Sequence, residues 1–140
     1  MVAHEELTTT DESSEVVVRA VSVYQPDESD LSDATDKKYV FAYRIEIENR
    51  GTRTVQLLSR HWWITDARQG VREIEGEGVI GQRPFISPGQ VFAYSSWCIL
   101  ATPSGLMRGS YFMVVSGANG DEPLEVAVPS FSLATPHALN

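Results

Sequence analysis

A single cysteine, Cys98, carries all the thiol chemistry this 140-residue chain has. That excludes an internal disulfide and suits a reducing compartment. No apolar run approaches the roughly 18 residues that cross a bilayer as a helix, and the opening MVAHEELTTTDESSE is acidic and polar where a secretory leader would be basic and then greasy. The expected setting is the cytoplasm, with no membrane partner. Histidine is as scarce: His4 and His137 lie near the ends and His61 alone in the body. One histidine and one distant cysteine fall short of the three or four closely placed ligands zinc takes, so neither a metal nor a cofactor is expected. Ser59, Ser104 and Ser110 sit outside any G-x-S-x-G elbow, and one internal histidine leaves little room for a triad. Cys98, between Trp97 and Ile99 in an apolar stretch, reads as a structural residue rather than a nucleophile. Catalysis is not expected.

Positive charge is also in short supply: 11 Lys and Arg against 19 Asp and Glu, a net charge of −8. Residues 1–36 carry −9 of it, with Arg19 as their one base, while residues 37–140 carry +1. A near-neutral body with an acidic leader disfavours nucleic acid, whose binding draws on phosphate neutralisation by a basic surface.

The third absence is helical periodicity. No stretch places apolar residues at i, i+3, i+4 and i+7 over three turns, and what stands instead is alternation. In Tyr39–Asn49 the residues Tyr39, Phe41, Tyr43, Ile45 and Ile47 point one way and Val40, Ala42, Arg44, Glu46 and Glu48 the other, as in a strand with one buried and one wet face. Strands are predicted over 16–24, 39–49, 54–59, 61–65, 71–75, 91–100, 110–115 and 124–133. Turns are expected at Asn49-Arg50-Gly51, at Ala67–Gly70 and at Ser87-Pro88-Gly89-Gln90. Residues 25–36 read as a long mobile loop, and 101–108 as a Pro/Gly loop. Seven or eight short strands with turns every eight to twelve residues indicate an all-β, immunoglobulin-like sandwich. It is expected over 15–134, between an acidic tail at 1–14 and a second tail at 135–140.

Several stretches resemble the ApaG family, also known as the DUF525 domain. Gly76-Glu77-Gly78-Val79-Ile80-Gly81 is one of them, and the specific runs are Leu57-Leu58-Ser59-Arg60-His61-Trp62 and Gly105-Leu106-Met107-Arg108-Gly109-Ser110-Tyr111. The resemblance spans about Val16 to Leu133; the acidic extension over 1–14, and Trp63 and Trp97, depart from it. It implies a fibronectin type III-like β-sandwich, agreeing with the reading from alternation, and no settled biochemical role. Related domains occur in larger eukaryotic proteins, among them an F-box protein and a DNA-polymerase-interacting protein, as interaction modules. Bacterial members are associated by genetics with cobalt and magnesium resistance.

Three features carry candidate chemistry. Gly76-Glu77-Gly78-Val79-Ile80-Gly81 fits G-x-G-x-x-G, but Pro84 and Pro88 follow where a dinucleotide site needs a helix. What survives is a nest of N–H groups for phosphate built from Gly76, Gly78 and Gly81 with Arg72 and Arg83, or simply a bent loop where a strand switches sheets. Glu73, Glu75 and Glu77 alternate along one strand as an acidic row, spaced roughly 6.5–7 Å apart and too far for a cation cage without further ligands. Finally, in Arg60-His61-Trp62-Trp63 the two tryptophans must face opposite ways, one core and one outer. That makes Arg60, His61 and Trp63 the candidate partner-binding residues. The expectation is an interaction module for a protein partner, with unpaired sheet edges leaving a homodimer open. The alternative is a small-ligand binder, for pyrophosphate or nucleotide phosphate or for a divalent cation.

Overall fold

The computed structural model describes residues 15–139, so the predicted tail at 1–14 and His4 lie outside the described residues. The strands are β1 (Val16–Tyr24), β2 (Tyr39–Asn49), β3 (Val55–Asp66), β4 (Gly70–Glu77), β5 (Phe85–Ile86), β6 (Val91–Leu100), β7 (Ser104–Val115) and β8 (Glu122–Ala134). They form two antiparallel sheets, one ordered β1-β2-β6 and the other β4-β3-β7-β8, with β5 adding to β3. This is the layered arrangement of an immunoglobulin-like sandwich of the fibronectin type III kind. Among the described residues no helix is long and apolar enough to cross a membrane.

Alternation decides what faces inward. Phe41, Ile45 and Ile47 of β2 are fully buried, and they meet Leu57, Trp62, Met107, Tyr111, Met113, Phe131 and Leu133 of the other sheet. Each such side chain stabilises by about 1.5–3 kcal/mol when withdrawn from water. Trp62 sits at the centre, edge-on to Tyr43, Tyr111 and Phe131 at 5.8–6.2 Å between ring centroids.

Two sequence expectations change, and two connecting segments gain detail. Residues 54–59 and 61–65 are one strand, β3, with a bulge between Leu57 and Ser59 that shifts its register against β7. Strand β7 starts at Ser104, inside the stretch expected to be a loop. The loop after β1 holds a short 3₁₀ turn, Pro26–Glu28, and is fixed by mutual Asp30–Lys38 backbone hydrogen bonds and by Arg68 Nη2 donating to the Thr35 carbonyl. After β8, Thr135 is buried, its N–H donating to the Pro103 carbonyl, and Pro136–Leu139 form a second 3₁₀ turn.

Candidate functional site

The bulge in β3 settles which residues reach which face. Before it, Val55 and Leu57 point inward; after it, Trp62, Ile64 and Asp66 do, leaving His61 and Trp63 outside. Arg60 shares the parity of Trp62, so it leaves the predicted Arg60–His61–Trp63 set. It faces the sandwich interior at the β4 edge, where its Nη1 donates to the carbonyls of Glu77 and Gly78. Gly76 has no side chain there because the Arg60 guanidinium occupies the space, about where a Cβ would lie within 2.7 Å of it.

On the outer face, the hairpin β3–β4 turns through Ala67-Arg68-Gln69 and closes Asp66 against Gly70, whose φ of 70° suits the glycine. Asp66 Oδ1 accepts the N–H groups of Arg68 and Gln69 at 2.9 and 2.6 Å. That turn fixes the register, placing Glu75 opposite His61 and Glu73 opposite Trp63. The pairing of β3 with β7 brings Arg108 opposite Trp63, Ser110 opposite His61 and Phe112 opposite Ser59. Three strands thus deliver one patch. The His61 ring stacks on Trp63 at 3.9 Å and 20°, the Arg108 guanidinium lies 4.6 Å from the centre of the same indole, and the His61 nitrogens face two carboxylates. Nε2 is 2.6 Å from Glu73 Oε2 and Nδ1 is 3.2 Å from Glu75 Oε1. An imidazole can bond to both carboxylates as donor only when both nitrogens carry protons. Beside the patch, at the β4 edge, a depression of ≈ 430 Å³ is lined by Ser59, Arg60, His61, Glu75, Gly76, Glu77, Ser110 and Phe112.

Arg108 is the residue that sequence reasoning missed, because only cross-strand pairing brings it to Trp63. The acidic row divides: Glu73 and Glu75 meet His61, and Glu77 pairs with Arg83.

Of the residues proposed as a phosphate nest, Gly78, Gly81 and Arg83 share one turn, with Arg83 Cγ 3.4 Å from where a Cβ on Gly78 would stand, while Arg72 lies apart. Val79-Ile80-Gly81-Gln82 is a tight hairpin turn with positive φ at Ile80 (43°) and Gly81 (77°), closed by mutual hydrogen bonds between the backbones of Val79 and Gln82. The Gly78 N–H donates to the Leu58 carbonyl. Arg72 is on the inward side of β4, remote from this turn, with Nη2 donating to the Ile99 carbonyl. Near it lies Cys98, whose thiol burial pushes up to about 11, against a smaller opposing effect of Arg72. Such a thiol is not a nucleophile at neutral pH.

The family model for the ApaG domain matches residues 29–115. The chain is 48% identical over 112 residues to Protein ApaG of Thiobacillus denitrificans, covering 80% of this chain and 86% of that one. It is 44% identical over 126 residues to Protein ApaG of Bordetella pertussis, covering 90% and 92%. The crystal structure of the putative ApaA protein from Bordetella pertussis superposes with a TM-score of 0.78 at 45% identity, over 86% of this chain and 94% of that one. With its two-sheet architecture and the Arg60–Trp62 and Met107–Tyr111 runs at the heart of the β3–β7 pairing, this chain belongs to the ApaG-domain family.

Proposed function

We propose that this chain is a binding module without catalysis of its own, and that it takes up a protein partner on the outer face of its five-stranded sheet, centred on Trp63. The reading is carried by the stack of His61, Trp63 and Arg108. Tryptophan and arginine dominate binding hot spots, and an indole already held by two neighbours loses little freedom when a partner covers it. Around it Leu106, Phe112 and Val71 expose 49%, 50% and 61% of their surfaces on the same face. By register Val71 and Leu106 flank Thr65 one row beyond Trp63 and Phe112 lies two rows off beside Ser59, so these apolar side chains fringe the stack rather than form one patch, and the stack itself carries the reading. Glu73, Glu75 and Glu77 line the β4 margin, so the matching surface is apolar with a basic flank. The use of related domains as parts of larger proteins points the same way.

The phosphate alternative has weaker support, since the amides of Gly78 and Val79 are spent on carbonyls and Arg83 on Glu77. The cation alternative is taken up below.

The test is a photo-crosslinker, benzoylphenylalanine, placed at Phe112, with a control at Arg44 on the outer face of the other sheet. The expected result is one discrete adduct from position 112 that is absent from position 44 and lost on Trp63→Ala. An adduct of twice the chain's mass would make the partner a second copy. Equal adducts with and without Trp63, or none at 112, count against the reading.

A further inference from the structure

We infer that His61, Glu73 and Glu75 form a binding site for a divalent transition-metal ion of the zinc or nickel class. One donor atom from each of the three residues lies within 4.8 Å of the others. They come from two adjacent strands whose register is set by the turn at 67–69, so their placement is a consequence of the fold rather than of a loop. The acidic row by itself would be a solvated face. What changes it is the imidazole between two carboxylates.

Charge and chemistry both favour an ion. Among the described residues neither Glu73 nor Glu75 meets a lysine or arginine; their ion pairs are with His61 alone. Two carboxylates therefore converge on a ring that can offer at most one positive charge, and a divalent ion neutralises what the ring cannot. Bonds of about 2.0–2.2 Å to nitrogen and oxygen place donor atoms about 3–4 Å apart around an ion. One ion takes one ring nitrogen: on Nδ1 the Glu75 oxygen at 3.2 Å already stands at ligand spacing, and Glu73, now against Nε2, reaches the same ion by rotation of a side chain that is 54% exposed. One imidazole with two carboxylates suits zinc or nickel better than calcium, which prefers six to eight oxygens. Stacking on Trp63 fixes the plane of the ring, the role that outer partners play at built metal sites. The remaining coordination positions face solvent.

The inference stands apart from the partner reading, because it needs no partner to be tested. Zinc is titrated calorimetrically into the full chain at pH 7.5, and nickel is followed by quenching of tryptophan fluorescence. The expected result is one saturable site for zinc with little heat from calcium. Its affinity should fall at least tenfold in His61→Ala and in the double variant Glu73→Gln, Glu75→Gln, and it should weaken at pH 5.5, where protons compete for the ligands. Both variants alter side chains at the surface, and thermal melts establish that they fold. The single variant Glu75→Gln, at a side chain 67% exposed, is the second check and should weaken zinc on its own. No saturable zinc binding below millimolar concentration overturns the inference. Binding unchanged in His61→Ala also overturns it, since the ion would then sit elsewhere, for instance at His4 or His137. Either failure leaves the crosslink at Phe112 to be judged separately.

Discussion

The hydroxyls of Tyr94 and Tyr111, one from each sheet, meet at 2.5 Å in the buried interior. They are a polar bridge in an apolar core, and each is the other's partner. Removing one hydroxyl leaves the other, buried, without that hydrogen bond. Tyr94→Phe and Tyr111→Phe should each cost about 1–3 kcal/mol in urea unfolding. The double variant should cost less than the sum of the two, because no orphan is left. Burial also pushes both phenols up, well beyond their ordinary value. A group raised in the folded state gives stability that is intact below its unfolded value, about pH 10, and lost as pH rises through the folded one. The wild type should therefore lose stability above about pH 10 more steeply than the double variant. Equal slopes would mean that other tyrosines dominate.

Gly109 is where β7 passes under the core tryptophan. A Cβ built there would lie 2.3 Å from the His61 carbonyl oxygen and 2.5 Å from the Trp62 ring. Neither neighbour can retreat, since one is backbone in a paired strand and the other is wedged among Tyr43, Tyr111 and Phe131. Gly109→Ala should cost about 3 kcal/mol, read as a fall in the thermal midpoint. Gly70→Ala is the contrast, because nothing lies within 4 Å of its Cβ and only the positive φ opposes it. It should cost about 1 kcal/mol.

Those glycines also explain where the sequence misleads. Strands β1, β2 and β6 have the bounds the sequence predicts, because no proline or glycine breaks their β-branched and aromatic residues. The first half of β7 reads as a loop because Pro103, Gly105 and Gly109 depress its strand propensity. Yet Gly105 and Gly109 are there to let β7 close on Thr65 and His61. The site divides in the same way. That Trp62 and Trp63 face apart follows from a period of two, and the same period separates Arg60 from His61. The meeting of His61 with Glu75 depends on the length of the turn after Asp66, and that of Arg108 with Trp63 on a pairing across 45 residues. Local composition carries neither.

Asp66 should make the fold acid-sensitive. Burial alone would push its carboxyl up, but the N–H groups of Gln69, Ala101 and Arg68 outweigh that and hold it below the ordinary carboxylate value. A depressed value gives stability that is complete above the unfolded one, about pH 4, and lost as pH falls through the folded one. Asp66→Asn, which cannot accept all three bonds with a charge, should cost about 1–3 kcal/mol at pH 7 and flatten the loss of stability below pH 4. Parallel acid-unfolding curves for the two proteins would assign the acid response elsewhere.

Arg60 provides the sharpest check on which face does what. Its guanidinium holds the Glu77 and Gly78 carbonyls at 3.1 and 2.9 Å at the half-exposed β4 edge, and its strand parity opposes that of Trp63. Arg60→Ala frees two carbonyls of the glycine-rich turn and should speed amide exchange over residues 77–82 about tenfold, the worth of one or two modest hydrogen bonds. Crosslinking from Phe112 and zinc affinity should stay within about twofold of wild type, because neither depends on the inner face. Gly78→Val is unsuited to the same purpose. It sets a β-branched side chain at a φ of 62° with its Cβ 2.2 Å from the Gln82 carbonyl, so it would wreck the turn and report on folding rather than on binding. Loss of the Phe112 adduct in Arg60→Ala to the same extent as in Trp63→Ala would mean that the two faces act as one surface, and the assignment of the partner to the outer face would fall.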